Sequence, residues 1–299
     1  MSDICQRQNE DHFQTLLSAR AGVYRIATVW QITQVVLTLI IPVVLSVLSL
    51  HFAWLRPYVA CYSLVASVLD ILLIDRLIKK LIKQSALLSE MFDVGLFAIP
   101  WNAFVCGKPM QPEDVRDFSK YCSSANKAKL LDWYPVAIAA APNDVATLIC
   151  QRTNLFYDGR VRGRSAWLLL AFPIIYTVII LALALWWSLS FNDLVLTVVS
   201  PSAAVLIWSL RERFRQLDAI AAGESLRNEV EKSWQSLIQG GETRSAEDLS
   251  RIRQLQDSIF LRRSQNPLPL PFIYRFIRSN SEDAMNFGAE KLLKDAGYK

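Results

Sequence analysis

Apolar residues are gathered in four long blocks, separated by polar sequence that has a helical repeat. The blocks cover 27–50, 57–74, 166–189 and 194–210. Each block is long enough to cross the ~30 Å hydrocarbon core of a bilayer as a helix. The links between the first two blocks and between the last two are only a few residues long, so consecutive blocks must run antiparallel. The pattern predicts an all-α protein with four transmembrane helices arranged as two hairpins.

The polar sequence beside the apolar blocks also has helical periodicity. Apolar residues recur every three or four positions from His12 to Ile26, and again from Leu77 to Phe92 as a continuation of the second block. We therefore expect cytoplasmic helical stalks, and we expect Pro100 to end the second one. The stretch 142–185 predicts one helix, or two helices end to end, that begins with Asn143 as its cap and continues into the third span.

The region after the fourth block predicts a helical hairpin. An apolar stripe at helical spacing runs to the pair Gly240-Gly241. Ser245 and Asp248 then have the spacing of a capping box, which indicates the start of a second helix. Three prolines from Pro267 onward end that helix, and a short terminal helix is expected near Glu282–Asp295. The hairpin is long enough to pack against the stalks.

Composition and charge place this architecture in a membrane. The 299-residue chain is 53% hydrophobic and has a net charge of +5. Lys and Arg cluster at one end of each span, and the positive-inside rule assigns that end to the cytoplasm. We predict a multi-pass protein of the cell inner membrane with both termini cytoplasmic, and no DNA among its partners because its basic residues follow the membrane edges. The predicted regions are an N-terminal helix (1–26), transmembrane hairpin 1 (27–74), a cytoplasmic helical insert (75–164), transmembrane hairpin 2 (165–210) and a cytoplasmic C-terminal helical region (211–299).

The sequence carries no motif of catalysis or metal binding. It has two histidines, five scattered cysteines and no GxGxxG, P-loop or HExxH pattern. We predict no enzyme activity, no cofactor and no metal site; Cys150 would be the first candidate nucleophile, and we expect it to be buried. Asp70 is the one charged residue inside the spans. It either snorkels to the membrane edge or pairs with Arg76 or Lys79, which is the interpretation we favour, or it belongs to an ion path.

Polar and aromatic residues cluster in the cytoplasmic insert. Trp and Tyr can stack on nucleobases, Arg can bind phosphate bidentately, and Asn or Gln can contact a base edge. The candidate ligand-binding residues are Trp101, Asn102, Trp133, Tyr134, Gln151, Arg152, Asn154 and Arg160. The alternative is a satisfied core in which Trp133 packs and Arg152 pairs with Asp93 or Asp132.

The same clusters carry a family resemblance. Its pieces are Gln8-Asn9, Glu90-Met91-Phe92-Asp93, Pro100-Trp101-Asn102, Asp132-Trp133-Tyr134-Pro135 and Cys150-Gln151-Arg152-Thr153-Asn154. In this order, and with two pairs of spans around the insert, the chain resembles the SMODS-associated four-transmembrane effector family of bacterial anti-phage systems. The resemblance implies a partner nucleotidyltransferase that makes a cyclic oligonucleotide, and an effector that responds by permeabilising the inner membrane to cause abortive infection.

The architecture limits how such an effector could form a pore. Four helices packed at ~8–10 Å leave no lumen of their own, so a pore requires several subunits and predicts a homo-oligomer. The candidate pore or gating positions are Pro42, Pro173, Thr197, Ser200, Pro201 and Ser202. The alternative is a membrane-anchored sensor or scaffold without a pore, in which the spans only tether the cytoplasmic helices.

Overall fold

The computed structural model describes residues 2–239, 246–270 and 286–298, and within these ranges the chain is helical with no strand. Five long helices organise it. Helix α1 is Asp11–His51, α2 is Ala53–Phe97, α3 is Asn143–Trp186, α4 runs from Phe191–Leu194 through Ser200–Gln239, and α5 is Ala246–Gln265. Helices α1 to α4 each contain a segment apolar and long enough to cross a membrane. The predicted all-α class with four transmembrane helices is thereby confirmed.

Short helices fill the cytoplasmic insert and the ends of the chain. They are Ile4–Arg7, Ala103–Cys106, Pro112–Ser119 and Ser124–Lys127, the 3-10 turns Ala128–Leu130 and Val136–Ala140, and a last helix at 286–295. Pro112 begins its helix as predicted, because proline at the first turn removes an N–H that would have no partner there. The predicted capping residue Ser245 and the side chain of Asp248 lie outside the described part of the chain.

The helix ends differ from the predictions in three places. Asn143 begins α3, but its side chain does not cap the helix; it donates to the carbonyl of Phe97. Helix α2 ends at Phe97, before Pro100, where Ala98 adopts a left-handed conformation with φ of 55°. The second hairpin turns at 187–190, and Ser190 caps the next helix by accepting a hydrogen bond from the amide of Asp193.

The spans present apolar side chains outwards and small polar side chains inwards. Only 28% of the most apolar window is buried in the first three spans and 39% in the fourth, so most side chains there face away from the protein. Leu64, Val178 and Ile207 are typical, each more than 60% exposed. Ser46 and Ser63 are buried, with their hydroxyls donating to backbone carbonyls four residues earlier. This distribution suits a bundle surrounded by lipid.

Three of the four long membrane helices contain a π-helical turn within the described residues. The turns are Val36–Ile40 in α1, Asp70–Ile74 in α2 and Val195–Val199 in α4. Pro42 and Pro201 lie just after the first and third turns. Proline lacks the N–H of the helical ladder and its ring crowds the preceding turn, so a widened turn relieves the clash at these two sites. The turn at Asp70 has no such proline.

A core outside the spans, which we call the cytoplasmic core after the orientation predicted from the sequence, holds the stalks together. The amino-terminal half of α1 packs along α2, with Phe13, Leu17, Leu88 and Phe92 buried between them. At Gly22 the helix Pro112–Ser119 comes so close that an added β-carbon would lie 2.0 Å from the Phe118 carbonyl oxygen. Glycine is therefore required there by packing.

Helix α5 completes the cytoplasmic core. Its residues Ile252, Leu255 and Ile259 are buried against the stalks, as the hairpin prediction required.

Candidate functional site

A network of buried polar side chains lies at the centre of the cytoplasmic core. The hydroxyl of Tyr134, which is 1% exposed, donates to Asp93 Oδ1 at 2.6 Å and accepts from Asn154 Nδ2 at 2.8 Å. Arg263 of α5 donates to Asp93 Oδ2 at 2.6 Å. Burial, and then the Asp93 charge, raises the pKa of the Tyr134 hydroxyl well above its ordinary value, so this group remains a neutral donor.

The network continues through a second carboxylate, Glu90. Arg253 Nη2 donates to Glu90 Oε1 at 2.6 Å, and Gln256 Nε2 donates to Glu90 Oε2 at 2.7 Å. Gln256 in turn accepts from Gln151 Nε2 at 3.1 Å. Two guanidinium groups of α5 thus balance two buried carboxylates of α2, an arrangement that is costly to break because either charge alone would stay buried. We call these eight residues the cytoplasmic network: Glu90, Asp93, Tyr134, Gln151, Asn154, Arg253, Gln256 and Arg263.

The amino terminus holds the loop that carries Tyr134. The Gln8 side chain accepts from the Tyr134 amide at 2.8 Å and donates to its carbonyl at 3.4 Å. The Asn9 side chain accepts from the Asp132 amide at 3.1 Å and donates to the Asp132 carboxylate at 2.9 Å; the φ of Asp132, 50°, lies in the left-handed region. The Gln8-Asn9 and Asp132-Trp133-Tyr134 motifs therefore act together: one clamps the backbone of the other.

The predicted ligand-binding residues are close together, and most already have partners. Tyr134 and Gln151 are buried in the cytoplasmic network, with Asn154 at its edge. Asn102 donates to Asp257 at 2.8 Å, and Trp101 donates its indole N–H to the Gly107 carbonyl. These side chains could meet a ligand only if the hydrogen bonds they make here were exchanged.

The remaining predicted ligand-binding residues lie on the periphery. Trp133 packs under the guanidinium of Arg20, at 4.7 Å from the ring centroid. Arg152 pairs with Glu231 at 3.2 Å, and not with Asp93 or Asp132 as the alternative of a satisfied core supposed. The side chain of Arg160 lies outside the described part of the structure. Their role in ligand binding stays a prediction.

A second polar cluster lies where the spans meet the stalks. Asp70, with a side chain 2% exposed, accepts from Arg211 Nη2 and from Gln34 Nε2, each at 2.5 Å. The favoured pairing with Arg76 or Lys79 was wrong: the partner comes from the fourth span. This pair could not be predicted from local sequence, because Arg211 is 141 residues from Asp70 along the chain.

One turn below, Asp75 pairs with Arg215 of α4 at 2.9 Å and with Lys79 at 2.6 Å. Glu212 accepts from both Arg215 and Gln216 at 3.1 Å. Arg162 at the start of the third span also donates to Gln216 at 2.9 Å, so all four spans are joined by charged hydrogen bonds at one level. We call this set the membrane-edge layer: Gln31, Gln34, Asp70, Asp75, Arg162, Arg211, Glu212, Arg215 and Gln216.

The segment after α5 inserts into this layer. Arg162 Nη1 donates to the Pro267 carbonyl at 2.6 Å, while Gln216 and Gln31 donate to the Leu268 carbonyl at 2.9 and 3.1 Å. Leu270 is buried against Leu169 and Trp208 of the spans. We call residues 266–270 the strap. Its Pro-Leu-Pro-Leu sequence indicates only the end of a helix and does not predict where the segment lies.

The strap connects the two polar clusters directly. Arg263 is bonded to Asp93 in the cytoplasmic network, and four residues later Pro267 is bonded to Arg162 in the membrane-edge layer. A displacement of α5 by a few ångströms would therefore pull on backbone carbonyls held between α1, α3 and α4. The strap therefore forms a continuous hydrogen-bonded connection between the cytoplasmic core and the spans.

One group of side chains has the composition of a metal site. Ligand atoms of Glu90, Cys106 and Asp257 lie within 4.8 Å of one another. Arg253 already donates to both carboxylates. Burial, and then the Glu90 charge, raises the pKa of Cys106 to about 12. A metal ion would have to displace the guanidinium and deprotonate this thiol, so the group fits a structural role for Arg253 better than a metal centre.

The candidate pore positions face the interior of the bundle. Pro42, Pro173 and Pro201 are buried, as are Thr197 and Ser202, while Ser200 is half-buried. The hydroxyl of Thr197 has no hydrogen-bond partner among the described residues. The bundle thus encloses hydroxyl groups that would contact water only if its helices separated.

Cys150 is fully buried, as expected. Burial raises the pKa of its thiol well above the ordinary value, which disfavours the thiolate needed of a nucleophile.

Comparison with known proteins agrees with this architecture. A model of the SMODS-associating 4TM effector domain matches residues 2–292, nearly the whole chain. The chain belongs to this effector family. A relative from Bacillus cereus (strain VD146), which carries the name "Probable CBASS effector molecule", is 24% identical to this chain over 297 residues. The alignment covers 94% of this chain and 94% of the relative. No solved structure shows significant similarity.

Membership confirms the resemblance found in the sequence, and the structure gives its motifs a physical role. In this 4TM effector the motif residues of the insert do not line an open cleft within the described part of the chain. They meet α5 in the cytoplasmic network, which is where a rearrangement could reach the strap. The effector is a multi-pass membrane protein by its four apolar helices and by its family.

Proposed function

We propose that this protein is a membrane effector of bacterial anti-phage defence that is gated by a cyclic oligonucleotide and permeabilises the inner membrane as a homo-oligomer. Family membership and the name of the Bacillus cereus relative support the effector role. The gating proposal is supported by the position of the strap, which connects the cytoplasmic network to the membrane-edge layer. A linked nucleotidyltransferase would supply the ligand.

The described conformation has the features of a closed state. Its spans are held together by Asp70–Arg211 and Asp75–Arg215, and its hydroxyl groups point inwards. A ligand opens such a protein only by binding the open state more tightly than the closed one. In the proposed mechanism the ligand binds to the cytoplasmic insert and displaces α5, the strap leaves the membrane-edge layer, and the spans separate.

Opening would turn the bundle interior towards neighbouring subunits. Thr197 and Ser202 would then line a shared water-filled path, and the buried prolines would provide flexible points in the helices. Both termini and the insert face the cytoplasm in this proposal, where the nucleotide is made.

The test is dye release from liposomes. Full-length protein is reconstituted with a trapped dye and exposed to cyclic di-AMP, cyclic GMP–AMP and cyclic tri-AMP in turn. The proposal expects release with at least one nucleotide and none without it. Folded, inserted protein that stays silent with every nucleotide would refute gating. An intact membrane potential in cells during the triggered response would favour the sensor or scaffold instead.

A further inference from the structure

A cavity lies between α3, α4 and α5, on the cytoplasmic side of the membrane-edge layer. Its volume is about 270 Å³. Its walls are Leu155, Phe156 and Gly159 of α3, Ile220, Gly223, Glu224 and Arg227 of α4, and Arg262 of α5. None of these residues belongs to the cytoplasmic network or the membrane-edge layer. From this cavity we infer a binding site for a phosphate-bearing nucleotide, which rests on the proposed function and locates its ligand.

The first argument is the composition of the walls. Arg227 and Arg262 supply two guanidinium groups, and Glu224 supplies one carboxylate, so the lining has a net positive charge. Guanidinium groups bind phosphate oxygens bidentately and stay charged at any physiological pH. Phe156 and the aliphatic residues offer an apolar wall, against which a base can pack. An anion with an attached aromatic ring matches both parts.

The second argument is the way glycine shapes the cavity. The guanidinium of Arg262 lies directly on Gly223: an added β-carbon there would come within 2.5 Å of Nη2 and 2.8 Å of Cζ. At Gly159, which also lines the cavity, an added β-carbon would meet nothing within 4 Å. Gly223 therefore makes room for the arginine side chain, and Gly159 leaves open space in the wall of the same cavity.

The third argument is position. Arg262 directly precedes Arg263, which donates a hydrogen bond to Asp93. Pro267, five residues after Arg262, accepts a hydrogen bond from Arg162 through its carbonyl. A phosphate that draws Arg262 away from α4 would act on the segment between the cytoplasmic network and the strap. The volume is near the lower end of ordinary ligand pockets, about 300–1,000 Å³, so it suits one nucleotide unit of a larger ring.

The glycines provide variants that change the cavity without disturbing the core. Gly159→Leu places a side chain in the open space and should occlude the site. Gly163→Leu is its matched control, because Gly163 lies one turn further along α3, does not line the cavity, and its added β-carbon also meets nothing within 4 Å. Gly223→Ala should push the flexible end of Arg262 aside. Arg227→Ala removes an exposed cation of the site, with exposed Arg251→Ala as its control.

The experiment measures binding and dye release separately on full-length protein. Nanodisc-embedded protein is titrated with cyclic di-AMP, cyclic GMP–AMP and cyclic tri-AMP, and the same variants are tested in liposomes. We expect Gly159→Leu, Gly223→Ala and Arg227→Ala each to weaken binding by about tenfold or more, the loss typical of one charged hydrogen bond. Gly163→Leu and Arg251→Ala should bind like the wild type.

The outcomes separate the two proposals. Unchanged affinity in all three cavity variants would overturn the site while leaving nucleotide gating intact. Binding that depends on the cavity but releases no dye would support the site and refute the proposed function. Absence of binding to wild-type protein would overturn both. Nanodiscs with and without phosphatidylglycerol form a further arm: stabilisation by that lipid alone, lost in Gly159→Leu, would assign the cavity to a lipid phosphate and overturn the nucleotide.

Discussion

The pair Asp70–Arg211 offers the sharpest test of how the spans are held closed. Its oxygen and nitrogen are 2.5 Å apart, and the Asp70 side chain is 2% exposed. Replacing Asp70 by Asn keeps the shape but removes the charge that Arg211 faces. The amide can still accept from Gln34, yet one of its own N–H groups would then oppose the guanidinium.

The magnitude follows from the burial of the pair. Removing one partner of a buried ion pair costs about 3–5 kcal/mol, because the other charge stays uncompensated. Arg211 retains 29% exposure in the protein, so we take the lower end, about 3 kcal/mol. Since every 1.4 kcal/mol is a factor of ten, a pair made only in the closed state would shift the closed-to-open ratio by about 100-fold.

The assay is ligand-independent dye leakage, together with unfolding of the detergent-solubilised protein. Asp70→Asn and Arg211→Gln should each leak without nucleotide, and the double variant should leak less than the sum of the two, because neither charge is then left alone. Lower stability with no leakage would mean that the pair persists in the open state. Strictly additive effects, or wild-type behaviour of both single variants, would refute the reasoning.

Four further predictions concern the part of the protein outside the spans. Tyr134→Phe leaves Asn154 without its acceptor and should lower the free energy of unfolding by about 1–3 kcal/mol in chemical denaturation. Gly22→Ala forces a β-carbon against the Phe118 carbonyl and should cost about 1–3 kcal/mol, whereas Gly163→Ala should be tolerated. With a pKa of about 12, Cys106 should be about one part in ten thousand thiolate at pH 8; mass spectrometry should therefore find it unlabelled by iodoacetamide until the protein is unfolded. Arg152→Ala breaks a partly exposed ion pair with little loss of stability, and should abolish nucleotide-triggered release if the predicted ligand role is right.

The sequence predicts the helices well because their signals are local. Four apolar blocks, the short links and the unbroken pattern through 142–185 each describe a single stretch of chain, and the structure has long helices at each. Asn143 shows the limit of local rules. Its position is that of a cap, but the packed carbonyl of Phe97 competes for its side chain.

Pairings between distant segments could not be predicted in this way. Asp70 has basic residues six and nine positions further along its own helix, and nothing in the sequence favours Arg211 over them. The strap is a stronger example, because the hydrogen bonds that place it use its backbone carbonyls, which every residue possesses. The motif residues of the insert were found, yet their chemistry suggested a ligand surface, while the structure buries Tyr134 and Gln151 among partners.

The π turns at Val36–Ile40, Asp70–Ile74 and Val195–Val199 give these spans a spare residue each. Such a bulge can migrate along a helix by exchanging one backbone hydrogen bond at a time, without unwinding the rod. Each residue it passes swings through about 100° around the axis. Side chains that now point to the bundle axis could thus be turned to its perimeter in a screw-like motion. The second membrane helix is the one best suited to it, because in the first and fourth a migrating bulge would leave Pro42 or Pro201 without the widened turn that accommodates its ring.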